Sequence, residues 1–352
     1  MGVDPGFWRG RRVLLTGHTG FKGSWLSLWL QELGAQVVGL SVDIPTSPSL
    51  YELAGLERSM EWIRADVRDH DAVRAAIDRA APEIVIHMAA QALVRRSFAQ
   101  PRETYETNVM GTVNVLEAAR GRDELRVLVN VTSDKCYENR EWERGYREGD
   151  ALGGSDPYSS SKGAAELVTD AYRRSFFAGP EATRIVSARA GNVIGGGDWS
   201  EDRLVPDLIK AVLAGATLRV RNPTAVRPWQ HVLNPLSGYL VLAQAAWEDP
   251  AIAGAWNFGP PDDDARQVGW VVEQLAARWP GGVHWERDEG DAPHEAHYLK
   301  LDSSHARSSL GWQPAWSLEP ALDATVSWYR SYADSGDLRA LTLAQIGEFS
   351  AV

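Results

Sequence analysis

The chain has 352 residues, a formal net charge of −11 and a single cysteine, Cys136. That length holds two small domains or one large one, the acidic balance argues against nucleic acid as a general partner, and one cysteine excludes an intrachain disulfide framework and fits a reducing compartment. Met1 to Gly6 carries no apolar signal core, Gly6 stands where N-myristoylation needs Ser or Thr, and no run approaches ~18 apolar residues, so a cytoplasmic chain without a membrane span is expected.

Arg12 to Thr16 is a short apolar run and predicts a strand. The turn Gly17-His18-Thr19-Gly20-Phe21-Lys22-Gly23 follows, and then Ser24 to Leu33 places Trp25, Leu28, Trp29 and Leu33 on one helical stripe closed by Gly34. Gln36 to Val42 predicts a second strand ending at Asp43, and Asp66 follows a third apolar stretch. Val73 to Ala80 is helical, Glu83 to Met88 and Arg126 to Val131 are strands, and Thr104 to Arg120 between them reads as one long helix. Tyr158 to Phe177 is another helix and Arg184 to Ala190 a sixth strand. Strands alternating with helices imply right-handed crossovers and a parallel sheet covered on both faces, whose strands read as continuous apolar runs.

After Asn192 the rhythm changes. Gly195-Gly196-Gly197-Asp198 is a flexible loop, Leu204 to Leu213 is helical, Pro223, Pro228 and Pro235 interrupt the next stretch, and Gly259-Pro260-Pro261 continues the irregularity. Helices over Val268 to Trp279 and Leu318 to Tyr332 close the chain. The fold class expected is α/β, a Rossmann-type doubly wound parallel sheet with a smaller mixed α/β substrate-binding domain. The expected division is discontinuous: 1–193 plus 228–258 for the dinucleotide, 194–227 plus 259–352 for the substrate.

Gly17, Gly20 and Gly23 form G-x-x-G-x-x-G, one residue different from the G-x-G-x-x-G fingerprint, with the same physics of a tight turn, a close backbone approach to pyrophosphate and a helix N-terminus facing the anion. The glycines follow a strand, open a helix and precede an acid, Asp43, which is the context the fingerprint requires. Candidate cofactor contacts are Gly17, Thr19, Gly20, Phe21, Lys22, Gly23, Asp43, Asp66, Val67, Met88, Ala89 and Ala90. Asp43 would bond the adenosine ribose and repel a 2′-phosphate, favouring NAD over NADP; Lys22 is the counter-argument. Asp66 and Val67 would meet the adenine, and Met88-Ala89-Ala90 is small where the cofactor backbone passes.

Two further stretches carry proton chemistry. Tyr158 and Lys162 lie four apart on a helix, so the ammonium favours ionised tyrosine and a phenol can serve as a base. Ser133-Asp134-Lys135 adds a second acid/base set just after a strand, where ligands of such sheets bind. One set moves a proton with a hydride and the other moves protons on a neighbouring carbon, so oxidation is coupled to a second reaction. No metal is called for: the eight His show no ligand spacing. For an anionic substrate, Arg227, followed by Pro228-Trp229, suits a phosphate, Asn192 is a donor after a strand, and Arg189, Arg219, His297 and Tyr298 are further candidates.

Together Thr16-Gly17-x-x-Gly20-x-x-Gly23, His87-Met88-Ala89-Ala90 and Tyr158-x-x-x-Lys162 resemble the extended short-chain dehydrogenase/reductase family, from about Arg12 to about Trp316. The longer strings GHTGFKGSWLSLWL, NVTSDKCYENREWERGYRE, RAGNVIGGGDW, RPWQHV and PHEAHYLKLD are similar to its CDP-glucose 4,6-dehydratase branch. The resemblance implies that Tyr158 deprotonates the sugar C4 hydroxyl as NAD takes the hydride, that Lys162 holds the nicotinamide ribose, that Ser133 bonds the C4 oxygen and that Asp134 protonates the departing C6 hydroxyl. Lys135 stands where the dTDP-glucose and GDP-mannose dehydratases carry a Glu as the C5 base; a lysine there must be substantially neutral, which burial and nearby cations favour and Asp134 opposes. By the same resemblance Leu204, Val205 and Pro206 line the base pocket, and the helices Thr104 to Arg120 and Tyr158 to Phe177 form the contact of a homodimer or higher homo-oligomer. Two other readings remain: a C4 epimerase, which needs no acid and base near C5 and C6, and a silent dinucleotide-sensing scaffold, which needs no intact Tyr158, Lys162, Ser133 and Asp134.

Overall fold

Seven parallel strands form the central sheet of the computed structural model, which describes residues 2–288 and 298–352. They are β1 (Arg12–Thr16), β2 (Gln36–Ser41), β3 (Glu61–Arg64), β4 (Ile84–His87), β5 (Val127–Val131), β6 (Arg184–Ala190) and β7 (Ala255–Phe258), in the order β7-β6-β5-β4-β1-β2-β3. Leu14 pairs with Val38 on one side and Val85 on the other, and Phe258 pairs with Ala190. The order reverses between β1 and β4, and that switch point opens a crevice at the strands' carboxyl ends. All five residues of β5 and all seven of β6 are buried, because helices cover both faces.

The helices that matter for the site are α1 (Phe21–Glu32), α2 (His70–Ala80), α3 (Gly111–Ala119), α4 (Pro157–Phe176), α5 (Leu204–Leu213), α6 (Leu233–Glu248), α7 (Val268–Arg278), α8 (Leu318–Ala333) and α9 (Leu338–Ser350). Starts are set by caps. The Asp69 side chain accepts from Ala72 N to begin α2 at His70, three residues before the periodic apolar stripe, and Asp156 accepts from Ser159 N to begin α4 with Pro157 in its first turn. α1 begins at Phe21, three residues before the expected Ser24, with Gly20 at its cap and no side-chain cap bond, which leaves its first backbone N–H groups facing the crevice.

The long helix expected over Thr104 to Arg120 is not regular. It comprises Pro101–Tyr105, a π-turn over Glu106–Met110 and α3. The cause lies at buried Asn108: its amide donates to Gln91 O (3.0 Å) and Ser161 Oγ (2.9 Å) and accepts from Gln91 N (2.8 Å), which ties this helix to the loop after β4 and to α4. Two helices that the sequence pattern did not mark are α6, buried along nearly its whole length, and α9.

The main core runs unbroken from Val13 and Leu15 on β1 through Trp25 and Trp29 on α1 to Trp328 on α8 and Phe349 on α9. Trp29 meets Phe349 edge-on at 5.6 Å, and Trp25 Nε1 donates to Gly196 O at 2.9 Å. Each such ring contributes roughly 2–3 kcal/mol on burial, so the C-terminal helices fix α1 from behind. No described helix is long and apolar enough to cross a membrane.

Candidate active site

A cleft of about 1740 Å³ opens along the carboxyl ends of β1 to β6. Among the residues lining it are Gly17, Thr19, Gly20, Phe21, Lys22 and Gly23 after β1, Asp43 after β2, Asp66 and Val67 after β3, and Met88, Ala89 and Ala90 after β4. Ser133, Asp134 and Lys135 after β5, Tyr158 and Lys162 of α4, and Asn192, Leu204, Val205, Pro206, Arg219 and Arg227 line it too. The loop after β1 is built for a backbone ligand. Gly17 has φ +74°, and a Cβ on Gly23 would sit 2.1 Å from Gly17 O, so only glycine lets α1 turn this tightly beneath the cleft. Thr19 Oγ1 donates to Asp43 O (2.7 Å) and locks the loop to the end of β2. Uncapped α1 N–H groups, a glycine cradle and an acid across the ribose position fit a dinucleotide. Asp66 also pairs with Arg68 (2.6 Å), which holds its carboxyl below the usual range, chiefly through that hydrogen bond.

The proton-handling groups meet on the other side of the cleft. Ser133 caps a short 3₁₀ turn over Asp134–Cys136; its hydroxyl accepts from Lys135 N (3.2 Å), donates to Asp134 Oδ1 (3.0 Å) and lies within reach of the Tyr158 phenol. Asp134 is buried, and burial raises its pKa against the pull of Lys135, Ser133, Arg227 and Lys22, so it is poised as an acid that gives a proton. Its Oδ2 has no hydrogen-bond partner among the described residues and points at Gly191, where a Cβ would stand 2.7 Å away.

Tyr158 departs from the expected electrostatics. Burial pushes its phenol up to about 12, with Ser133 and then Arg203 pulling the other way. The facing cation is thus Arg203, and the Lys162 ammonium points to Val131 O at 3.5 Å. Lys162 itself is pushed down to about 8 by burial, with Glu166 opposing. Lys22 reaches the same centre: its Nζ is 3.5 Å from Tyr239 OH, and burial followed by Arg203 pushes it down to about 7.

Among the weaker substrate candidates, Arg227 is buried on the strand Val226–Pro228 and Arg219 lies at the rim, paired with Glu286 at 3.3 Å. Tyr298 is 37 % exposed and does not line the cleft, and its carbonyl accepts from Asn139 Nδ2. His297 lies outside the described residues. Arg189 is no phosphate donor: it is buried in an ion pair with Glu166 at 2.8 Å, because its β6 position points it under the sheet toward α4. Cys136 is fully buried, as a packing residue should be. Sequence reasoning passed over Arg203, Gly191, Tyr239 and Glu166. Local signals exist for three of them: Arg203 immediately precedes the named Leu204, Gly191 immediately precedes the named Asn192, and Glu166 lies one helical turn beyond Lys162.

The model of the GDP-mannose 4,6 dehydratase family matches residues 14–325. A CDP-glucose 4,6-dehydratase of Salmonella typhimurium is 49 % identical over 352 residues, covering 99 % of this chain and 98 % of that protein. A dTDP-glucose 4,6-dehydratase of Xanthomonas campestris is 27 % identical over 339 residues, covering 90 % and 92 %. Among solved structures, a Bacillus cereus UDP-glucuronic acid 4-epimerase in complex with UDP-glucuronic acid and NAD superposes with a TM-score of 0.78 at 22 % identity, covering 91 % of this chain and 99 % of that one, which establishes the shared fold.

Proposed function

The chain belongs to the GDP-mannose 4,6 dehydratase family, and from that premise we propose that it is an NAD-dependent hydro-lyase converting CDP-D-glucose to CDP-4-dehydro-6-deoxy-D-glucose. The observation that carries this reading is the meeting of two proton-handling sets, Tyr158–Lys162 and Ser133–Asp134–Lys135, at one wall of a dinucleotide cradle. When bound, NAD supplies the acceptor for the C4 hydride, the donor that returns it to C6, and a cationic ring that favours the phenolate.

The chain's own groups do the rest. Tyr158 takes the proton of the C4 hydroxyl, Ser133 steadies the C4 oxygen, and Arg203 adds positive charge on the phenol's side of the cleft. A carbonyl at C4 acidifies C5, whose proton goes to Lys135. Asp134, whose carboxyl burial shifts upward, gives its proton to the leaving C6 hydroxyl. Buried Arg227 and the Asn192 amide hold the diphosphate, with Arg219 at the rim of the cleft. Leu204, Val205 and Pro206 at the start of α5 form the base shelf.

We divide the chain into 1–193 plus 228–258 for NAD and 194–227 plus 259–352 for the nucleotide sugar, supported by β7 joining the main sheet beside β6. A cytoplasmic homo-oligomer fits the single buried thiol and the exposed apolar residues Tyr105, Met110, Leu167 and Phe176 on the Pro101–Ala119 segment and α4.

The test is incubation of the protein and NAD with CDP-, dTDP-, UDP- and GDP-hexoses, with product masses read for loss of water. Loss of water from CDP-glucose, and a product absorbing near-ultraviolet light in alkali, are expected. An isomeric product of unchanged mass would make the enzyme a C4 epimerase, and no product from any of the sugars would end the enzymatic reading.

A further inference from the structure

Beneath the proton-handling wall lies a buried polar knot that the reaction itself does not use. Glu166, 3 % exposed, follows Lys162 by one turn of α4. Its Oε1 accepts a short hydrogen bond from Thr132 Oγ1, and its Oε2 accepts from Ser187 Oγ (2.7 Å) and Arg189 Nη2 (2.8 Å). Arg189 in turn donates through Nη1 to Tyr137 OH (2.7 Å) and Glu148 O (3.2 Å), and Tyr137 OH donates to Asn257 Oδ1 (2.8 Å). One carboxylate therefore fastens α4 to the residue that precedes Ser133, while its guanidinium partner fastens the residue that follows Cys136. The triplet Ser133–Asp134–Lys135 is clamped at both ends.

Resting on the reaction proposed above, we propose that Glu166 is a positioning residue that holds the two catalytic elements in register and keeps a buried carboxylate one helical turn from Lys162. The groups facing Lys162 are Glu166 on its own helix, Lys22 from α1, His87 from β4 and Cys136 from the turn after β5. Burial keeps His87 and Cys136 neutral, and Lys22 is cationic or neutral, so Glu166 is the one of these that supplies negative charge at neutral pH. Burial acts to raise the pKa of Glu166, but Arg189 and its hydrogen-bond donors bring it below the usual value, so it stays ionised. Removing that charge makes Lys162 shed its proton at lower pH, since burial then acts with less opposition.

The experiment compares wild type, Glu166→Gln, Glu166→Asp and the double variant Glu166→Gln/Arg189→Met, which leaves no buried charge unpaired. Each is loaded with NAD and assayed with CDP-glucose across pH. In Glu166→Gln, kcat should fall by about 10²-fold, the loss typical of misplacing a reacting group by ~1 Å, with KM within about twofold of wild type. Its alkaline limb should move about one pH unit lower, as should the midpoint for competitive acetylation of Lys162, read by mass spectrometry without substrate. Glu166→Asp keeps the charge, so its limb and acetylation midpoint should return while kcat stays reduced. The double variant should show the Glu166→Gln limb.

A folded Glu166→Gln or double variant with wild-type kcat and an unmoved acetylation midpoint overturns the inference. So does failure of all three variants to fold, which would make the knot structural only. Absence of turnover in wild type itself counts against the proposed reaction instead, and the acetylation midpoints still decide the role of Glu166.

Discussion

Substitution of Gly191 by alanine should disable the elimination while sparing the first oxidation. Gly191 follows β6 and has no unusual φ, so alanine is conformationally tolerated there. The obstacle is contact: the new Cβ would sit 2.7 Å from Asp134 Oδ2 and 3.3 Å from Pro228 Cγ. The carboxyl oxygen is roughly 0.7 Å inside ordinary van der Waals contact, and the proline ring cannot yield far, so Asp134 must swing away. A displacement of this size costs about 10–10²-fold in a step that depends on the displaced group. Overpacking of the site adds about 1–3 kcal/mol of instability, which a thermal melt reads separately. The three atoms nearest the new methyl belong to Asp134 and Pro228 rather than to Tyr158 or Ser133, so the absorbance of reduced dinucleotide should rise on mixing with CDP-glucose in a stopped-flow instrument and decay slowly. The alkaline assay for product should show the matching loss. Wild-type product formation in Gly191→Ala, or loss of the initial absorbance rise with the dinucleotide still bound, would refute the placement of Asp134 at the leaving group.

Other outcomes are expected from the same geometry. Tyr158→Phe should lower the first oxidation by about 10²–10⁴-fold while dinucleotide binding, followed by fluorescence titration, is retained. Lys135→Met should slow incorporation of solvent deuterium at C5; rapid exchange in that variant would make Lys135 an electrostatic neighbour. Lys162 has its pKa lowered to about 8, so its ammonium is present below that value and is lost as pH rises through it, and kcat/KM should fall with a midpoint near 8. A flat profile from pH 7 to 10 would contradict that assignment.

The sheet was legible because parallel strands buried on both faces are uninterrupted apolar runs, and the predicted Arg184 to Ala190 coincides with β6. Helix starts were legible where the apolar stripe opens the helix, as at Leu204 of α5, Val268 of α7 and Leu318 of α8, and were missed where the stripe begins a turn after the cap: Asp69 marks α2 better than Val73 does. The π-turn at Asn108 depends on partners 17 and 53 residues away, which no local pattern contains. α9 buries Leu338, Thr342, Gln345, Ile346 and Phe349 on one face, and the polar members of that stripe hid it. In the site, the contiguous strings after β1 and β5 lie where strand ends must place them. The two errors of physics both concern burial. Tyr158 was expected to ionise readily beside Lys162, and Arg189 to face a phosphate; desolvation raises the first, and a partner 23 residues earlier in the chain claims the second.

The continuity of the aromatic core has a practical consequence for handling this protein. α1, whose N-terminus faces the cradle, rests on Trp25 and Trp29, and the latter rests on Phe349, three residues from the chain's end. Through these rings we expect docking of α9 and cofactor binding to be coupled, and any such coupling free energy is reciprocal. Amide deuterium uptake over α9 becomes a remote gauge of dinucleotide occupancy, slowing as the cradle fills.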